Sequence, residues 1–236
     1  MFGQNEILTV LEIMINFVAI MLIYRYFGKL ALVVWVSVAL IMANLQVGIL
    51  ISTFGMSATL GNVAYASTYL ATDILNENYG PKVARRAVLI AFFILIIFIL
   101  TMNFCFMFDT SNNMAPFKAV FTPLFRYLVA SLIAYFVSEN TDILIYGFFK
   151  KRNPSFKLIW FRCNLSPIFS ELLDTTIFSL IAFWGVFSLP VMISISLSTY
   201  LIKVITSMCD TPLVYLAKYW KLKGKIDGID AEIHSD

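Results

Sequence analysis

Apolar runs of about 20 residues recur from one end of this 236-residue chain to the other, and that is the length a helix needs to cross a hydrocarbon layer ~30 Å thick. A backbone inside hydrocarbon must satisfy its own hydrogen bonds, so the sequence predicts an all-α, polytopic membrane helix bundle. Composition agrees, since 60% of the residues are hydrophobic and 13% charged, whereas an average soluble domain has about 25% charged residues with which to cover its surface. Apolar windows bounded by charge or turn residues fall at 7–27, 30–54, 60–79, 87–108, 123–148, 160–187 and 191–217. They make about seven transmembrane helices, with six as the alternative count.

The basic residues test that count. Arg25 and Lys29 follow the first span, Lys82, Arg85 and Arg86 the third, Lys150, Lys151, Arg152 and Lys157 the fifth, and Lys218, Lys221, Lys223 and Lys225 the seventh. With seven spans, 13 of the 14 extramembrane basic residues share one face and Lys118 alone lies on the other. The positive-inside rule then puts the C-terminus in the cytoplasm and the N-terminus outside; six spans break the alternation. Residues 1–225 form the expected bundle, and the polar, acidic stretch 226–236 reads as a disordered tail.

Several function classes drop out. The net charge of +3 is spread along the loops and does not indicate nucleic-acid binding. Cys105, Cys163 and Cys209 are odd in number and widely spaced, which suggests neither a disulfide framework nor a zinc site. The single histidine, His234, lies in the tail, so haem ligation and histidine catalysis are not expected within the membrane. No cofactor is expected. Met1 to Glu6 carries no positive charge and no small-residue cleavage site follows, so a signal peptide is not expected either.

Local chemistry places some boundaries. In Asn78-Tyr79-Gly80-Pro81, Gly80 can adopt a left-handed stop and Pro81 cannot continue the helix. The third span opens with Gly55, Ser57, Ala58, Gly61, Ala64 and Ala66, small residues that allow close helix approach and should bury this span inside the bundle. Ser188-Leu189-Pro190 makes a short turn between the last two spans.

Charges inside the spans are the functional signal, because each costs at least ~2.5–3.5 kcal/mol at the bilayer centre and calls for a partner, a wet cavity or a ligand. Asp73 and Glu77 are four residues apart, Glu139 and Asp142 three, Glu171 and Asp174 three. Those spacings put each pair on one helical face. Arg126, Arg162 and Lys203 are the interior bases, and Glu12 and Asp210 lie near span ends, so acids outnumber bases. Asn44, Gln46, Tyr69 and other aromatic residues complete a constellation that suits a planar polar ligand. Each charge also has a structural reading: Glu77 as a helix end paired with Lys82 or Arg85, Arg162 as a buried pair or inner gate with Asp142, Lys203 as a partner of Asp174 or a snorkelling chain. The repeated Thr72-Asp73-Ile74-Leu75 and Thr141-Asp142-Ile143-Leu144, each followed by a Tyr-Gly, fit either chance or a worn internal repeat.

The run from Tyr65 to Arg86, YASTYLATDILNENYGPKVARR, resembles the signature of the queuosine precursor transporter family, also called the YhhQ-like or vitamin uptake transporter family. Residues 126–146, with Arg126, Ala130-Ser131 and Asp142, and residues 160–185, with Arg162, Ser166, Ser170, Asp174 and Phe178, are similar in order and spacing, as is Thr211-Pro212. The resemblance covers about residues 35–218. It implies a non-enzymatic importer of 7-deazaguanine bases, such as 7-cyano- or 7-aminomethyl-7-deazaguanine, or of queuine, for tRNA queuosine salvage. The chain departs from the family where Glu139 and Glu171 stand in place of Gln, which either favours a cationic ligand or supplies groups that carry coupling protons.

The expected machine is a secondary carrier with Asp73, Asp142 and Asp174 on the polar edges of the base, Arg126 and Arg162 compensating charge or gating, and Glu139, Glu171, Asn44, Gln46 and Tyr69 around it. Its partners are the base and the lipid bilayer, with self-association into a homo-oligomer left open. Two alternatives stand beside it. One is the substrate-binding subunit of an energy-coupling-factor importer, which needs an ATPase partner; the other is a membrane enzyme using paired acids, for which no phosphate loop or Gly-x-Gly-Asp is present.

Overall fold

A computed structural model describes residues 3–47, 49–53, 55–109, 113, 115, 118, 121, 124–185 and 188–227. Helix α1 runs Gln4–Gln46, strands β1 and β2 cover Leu50–Thr53 and Met56–Thr59, and helices α2 and α3 cover Asn62–Tyr79 and Pro81–Cys105. Helix α4 is Leu124–Arg152, a short 3₁₀ turn is Phe156–Leu158, and α5, α6 and α7 are Ile159–Phe183, Leu189–Met208 and Thr211–Leu222. The molecule is a helical bundle with one antiparallel hairpin.

Helix α1 is two helices joined at Gly28, where φ is +66°. A straight 43-residue helix would separate its ends by roughly 64 Å at ~1.5 Å per residue. Yet Asn5 Nδ2 donates to the Ser52 carbonyl at 2.9 Å, and the Thr9 and Thr53 hydroxyls lie 3.5 Å apart. The chain therefore doubles back at Gly28, in the gap between the first two apolar windows, and a side chain there would meet the left-handed penalty of ~1–2 kcal/mol.

The second window does not stay helical to residue 54. It ends at Gln46 and gives way to the hairpin, whose ladder pairs Leu50 with Thr59 and Thr53 with Met56. β-Branched Ile51, Thr53 and Thr59 favour strands, and Gly55 supplies a φ of +72° in the tight turn. Chain reversal at Gly80, φ +91°, ends α2 at the position expected, with Pro81 opening α3. Gly147, the counterpart of Gly80 in the repeated motif, lies inside α4 and ends nothing.

Every residue of α2 from Asn62 to Asn78 is buried. The close approach that buries it is visible at Gly61, where an added Cβ would sit 2.4 Å from the Ala43 carbonyl oxygen. Gln4–Gln46, Pro81–Cys105, Phe156–Phe183 and Leu189–Leu222 are the four stretches among the described residues long and apolar enough to cross a membrane. Helices α2 and α4 fall short on that measure because they carry the polar interior, which protein rather than lipid surrounds. The chain is a multi-pass membrane bundle.

One end gathers the basic residues. The Asp227 amide donates to Arg25 O at 2.9 Å, Arg25 lies over the Trp220 ring, and Lys221 donates to Asn78 O. Ile226 packs on the core. The polar tail thus begins docked at residues 226 and 227, and its remainder, 228–236, lies outside the described residues. The hairpin, the start of α1 and the end of α5 mark the opposite end.

Candidate functional site

Three polar clusters are strung along the buried axis. In the middle, Lys203 of α6 places Nζ 2.5 Å from Asp174 Oδ2 and 3.6 Å from Glu171 Oε2, both on α5. The other Asp174 oxygen accepts from Tyr65 Oη of α2 at 2.5 Å and from Ser138 Oγ of α4 at 3.3 Å. The Lys203 ammonium also sits 4.1 Å from the Tyr65 ring centroid. Four helices converge on one carboxylate. Beside them, Glu139 accepts from Thr68 at 2.9 Å and Thr72 at 3.2 Å, and Tyr69 and Tyr135 have buried hydroxyls without a hydrogen-bond partner among the described residues.

Nearer the basic end, Asp142 Oδ1 accepts from Ser166 at 2.6 Å and Ser170 at 3.0 Å. Asp73 lies close to Asp142 and Asp210 and faces the Cys163 thiol, and Asp210 has no side-chain hydrogen-bond partner among the described residues. Asp210 stands at the start of α7 without capping it.

At the basic end, Glu77 is a hub. Its Oε2 is 2.9 Å from Arg162 Nη2, 3.1 Å from Tyr146 Oη and 4.0 Å from Lys150 Nζ, while Oε1 is 3.2 Å from Lys218 Nζ. Arg162 also donates to Asn153 O at 2.7 Å. The ion pairs differ from the sequence readings in both partners: Glu77 meets Arg162, Lys150 and Lys218 instead of Lys82 or Arg85, and Arg162 meets Glu77 instead of Asp142. The reason is reach across helices, since α2 ends where α4, α5 and α7 bring their bases.

Arg126 belongs to none of these clusters. It is exposed at the opposite end, donating to Ile181 O at 2.7 Å and Trp184 O at 2.6 Å, where it caps the last carbonyls of α5. Gln46 is half-buried, and its Oε1 has no hydrogen-bond partner among the described residues.

A cavity of about 40 Å³ lies between α1, α2, α5 and α6, toward the hairpin end, and its walls include Asn44, Asn62, Tyr65, Asp174, Phe178 and Lys203. Of the residues expected at the ligand, Asp174 and Asn44 line it. Glu139, Glu171 and Tyr69 belong to the buried cluster around Asp174, Asp73 and Asp142 to the cluster nearer the basic end, and Arg162 is at the far end. Sequence reading missed Asn62 and Thr175 as lining groups; the run of small residues through Gly61 was the available signal for Asn62, and Thr175 had only its place beside Asp174.

A helical bundle with apolar membrane-length stretches and charged clusters buried along its axis defines a multi-pass membrane protein with a polar interior. Residues 59–217 match the family described as "Putative vitamin uptake transporter", and the chain belongs to this family of transporters. It is 38% identical over 207 residues to a Bacillus subtilis (strain 168) protein named "Probable queuosine precursor transporter", covering 86% of this chain and 90% of that one. A Haemophilus influenzae protein of the same name is 24% identical over 131 residues, 56% of this chain and 54% of that one. No solved structure matches the chain.

Proposed function

We propose that the protein imports queuosine precursors, 7-deazaguanine bases such as the 7-aminomethyl or 7-cyano compound, or queuine, across the cell inner membrane as a secondary carrier. The observation that carries this reading is the cavity walled by the Asp174–Lys203 pair, Tyr65 and Phe178, in a chain whose relatives bear that printed name. A flat base has aromatic rings to stack on and polar groups to meet there. Both halves of α1, then α2, α3, α4, α5 and the broken pair α6–α7 would each cross the membrane, which makes seven crossings and puts the basic end in the cytoplasm.

Transport then alternates access. The cavity loads from the hairpin end while the Glu77 hub seals the other, and release requires the bases of α4, α5 and α7 to part from Glu77. Asp174 and Glu171 face one ammonium, Lys203, with Glu139 held by Thr68 and Thr72 nearby, and this excess of acid favours an aminomethyl base over the neutral nitrile. Equal or stronger inhibition of uptake by the cyano base overturns that preference.

Uptake of labelled 7-deazaguanine bases by a bacterial host lacking its own importer, expressing this chain alone, tests the function. Uptake without an added ATPase supports the carrier; a requirement for one supports the energy-coupling-factor alternative. Asp174→Asn should abolish uptake with membrane insertion unchanged, and retained transport removes Asp174 from the site.

A further inference from the structure

Two asparagines on the cavity wall are each half used. Asn44 of α1, 2% exposed, donates Nδ2 to Leu40 O at 2.9 Å and leaves Oδ1 without a hydrogen-bond partner among the described residues. Asn62 of α2, 6% exposed, accepts at Oδ1 from Thr59 Oγ1 at 2.9 Å and leaves Nδ2 without one. The Leu40 carbonyl can only accept, which fixes the spare atom of Asn44 as an acceptor, and with the Thr59 hydroxyl donating to Oδ1 the spare atom of Asn62 is a donor. Their neighbours Ala43 and Gly61 make the backbone contact that an added Cβ would break, and the crossing of α1 and α2 puts both asparagines on the wall of one cavity. A buried amide group left unsatisfied costs about 1–3 kcal/mol, and a pair of them facing one cavity is the signature of a missing ligand.

Asp174, by contrast, is already engaged at both oxygens, by Tyr65, Ser138 and Lys203. A ligand reaching it must displace a bond, whereas one reaching the asparagines gains two.

We propose that Asn44 and Asn62 form a lactam-reading subsite, Asn44 Oδ1 accepting from a ring N–H and Asn62 Nδ2 donating to the adjacent ring carbonyl of a planar heterocycle. Thr175, whose buried hydroxyl also lacks a partner among the described residues and lines the same cavity, borders the subsite. This deepens the function proposed above and, for a 7-deazaguanine base, rests on it: the edge read is N1–H with O6, and the 2-amino group is left unread by a carboxylate.

The test is competition for uptake, comparing 7-deazaguanine with three analogues: one lacking the 2-amino group, one methylated at N1 and one with sulfur in place of O6, which keeps N1–H and weakens only the acceptor. Wild type should accept the first with little loss, lose roughly 10-fold to 100-fold on N1 methylation, as expected for an unsatisfied buried amide, and lose roughly 5-fold or more on sulfur replacement. Asn44→Leu should erase the penalty for N1 methylation and Asn62→Leu the penalty for sulfur replacement. These are ratios between ligands within one variant, so altered expression cancels. A large loss on removing the 2-amino group, or penalties that survive the substitutions, overturns the proposal. If wild type takes up no 7-deazaguanine base, the proposed function fails separately, and the subsite is judged on purified protein by thermal shift with uracil, hypoxanthine and guanine. Stabilisation lost on N-methylation of those rings supports it; no stabilisation by any of them overturns it.

Discussion

Asp174 and Glu171 sit within 4 Å of a single ammonium, Lys203, and all three are buried. Removing one partner of such a group leaves uncompensated charge in a low-dielectric interior. Lys203→Met should therefore destabilise the protein by about 3–5 kcal/mol, read as a lowered melting temperature in detergent. Adding Asp174→Asn to Lys203→Met should recover part of that loss by removing one of the stranded acids, and a double variant no more stable than Lys203→Met would argue against the pairing. At this scale the sequence was informative about which residues are costly and silent about which ones meet. Three-residue and four-residue spacings correctly put the acids on inward faces, but Arg162 and Glu77 lie 85 positions apart, and no spacing rule links them. The small residues around Gly61 marked Asn62 as buried, but an amide is notable only once its spare donor is known.

Between elements, two contacts decide whether the cavity and its far seal exist. The first is the crossing at Gly61 and Ala43. Gly61→Ala puts a Cβ 2.4 Å from a backbone oxygen that cannot rotate away, so the helices must separate at a cost of about 1–3 kcal/mol. Melting temperature and uptake should both fall, and a variant with unchanged values would show that the crossing is not close. The second is the Glu77 hub, which ties α2 to α4, α5 and α7. Buried Cys163 lies next to it, 3.7 Å from Tyr146 Oη, and serves as a native reporter. In a background with Cys105→Ser and Cys209→Ser, Glu77→Gln should raise the maleimide reactivity of Cys163 at least ~10-fold, since losing one partner of a buried pair costs more than that factor requires. Equal reactivity would mean the hub does not seal the basic end. The boundary at Gly80 was legible because glycine and proline act locally, whereas the break at Gly28 showed only as a gap between two apolar windows. The hairpin was not, because Leu50 to Thr53 is as apolar as the helix before it and only its pairing with Met56–Thr59 makes it a strand.

Across the whole molecule, the charge asymmetry along the bundle axis makes an orientation prediction. Arg25, Lys150, Lys218 and Lys221 collect at the end that carries the docked residues 226 and 227, and the positive-inside rule assigns that end to the cytoplasm. A fluorescent protein that folds only in the cytoplasm should light up when fused to the C-terminus, and activity of a periplasmic reporter at that position would invert the model of loading from the hairpin end. Hydropathy, loop charge and local helix stops are properties of the chain read in one dimension. They were enough by themselves to establish a multi-pass helical membrane protein with acids held at depth, and the similarity of its motifs pointed to its transporter family. Which acid meets which base, that Arg126 caps a helix outside the site, and which amide atoms are left over on the cavity wall were decided by tertiary structure alone. Hydrogen bonds and ion pairs act over a few ångströms, and only helix rotation and close packing bring distant residues within that range.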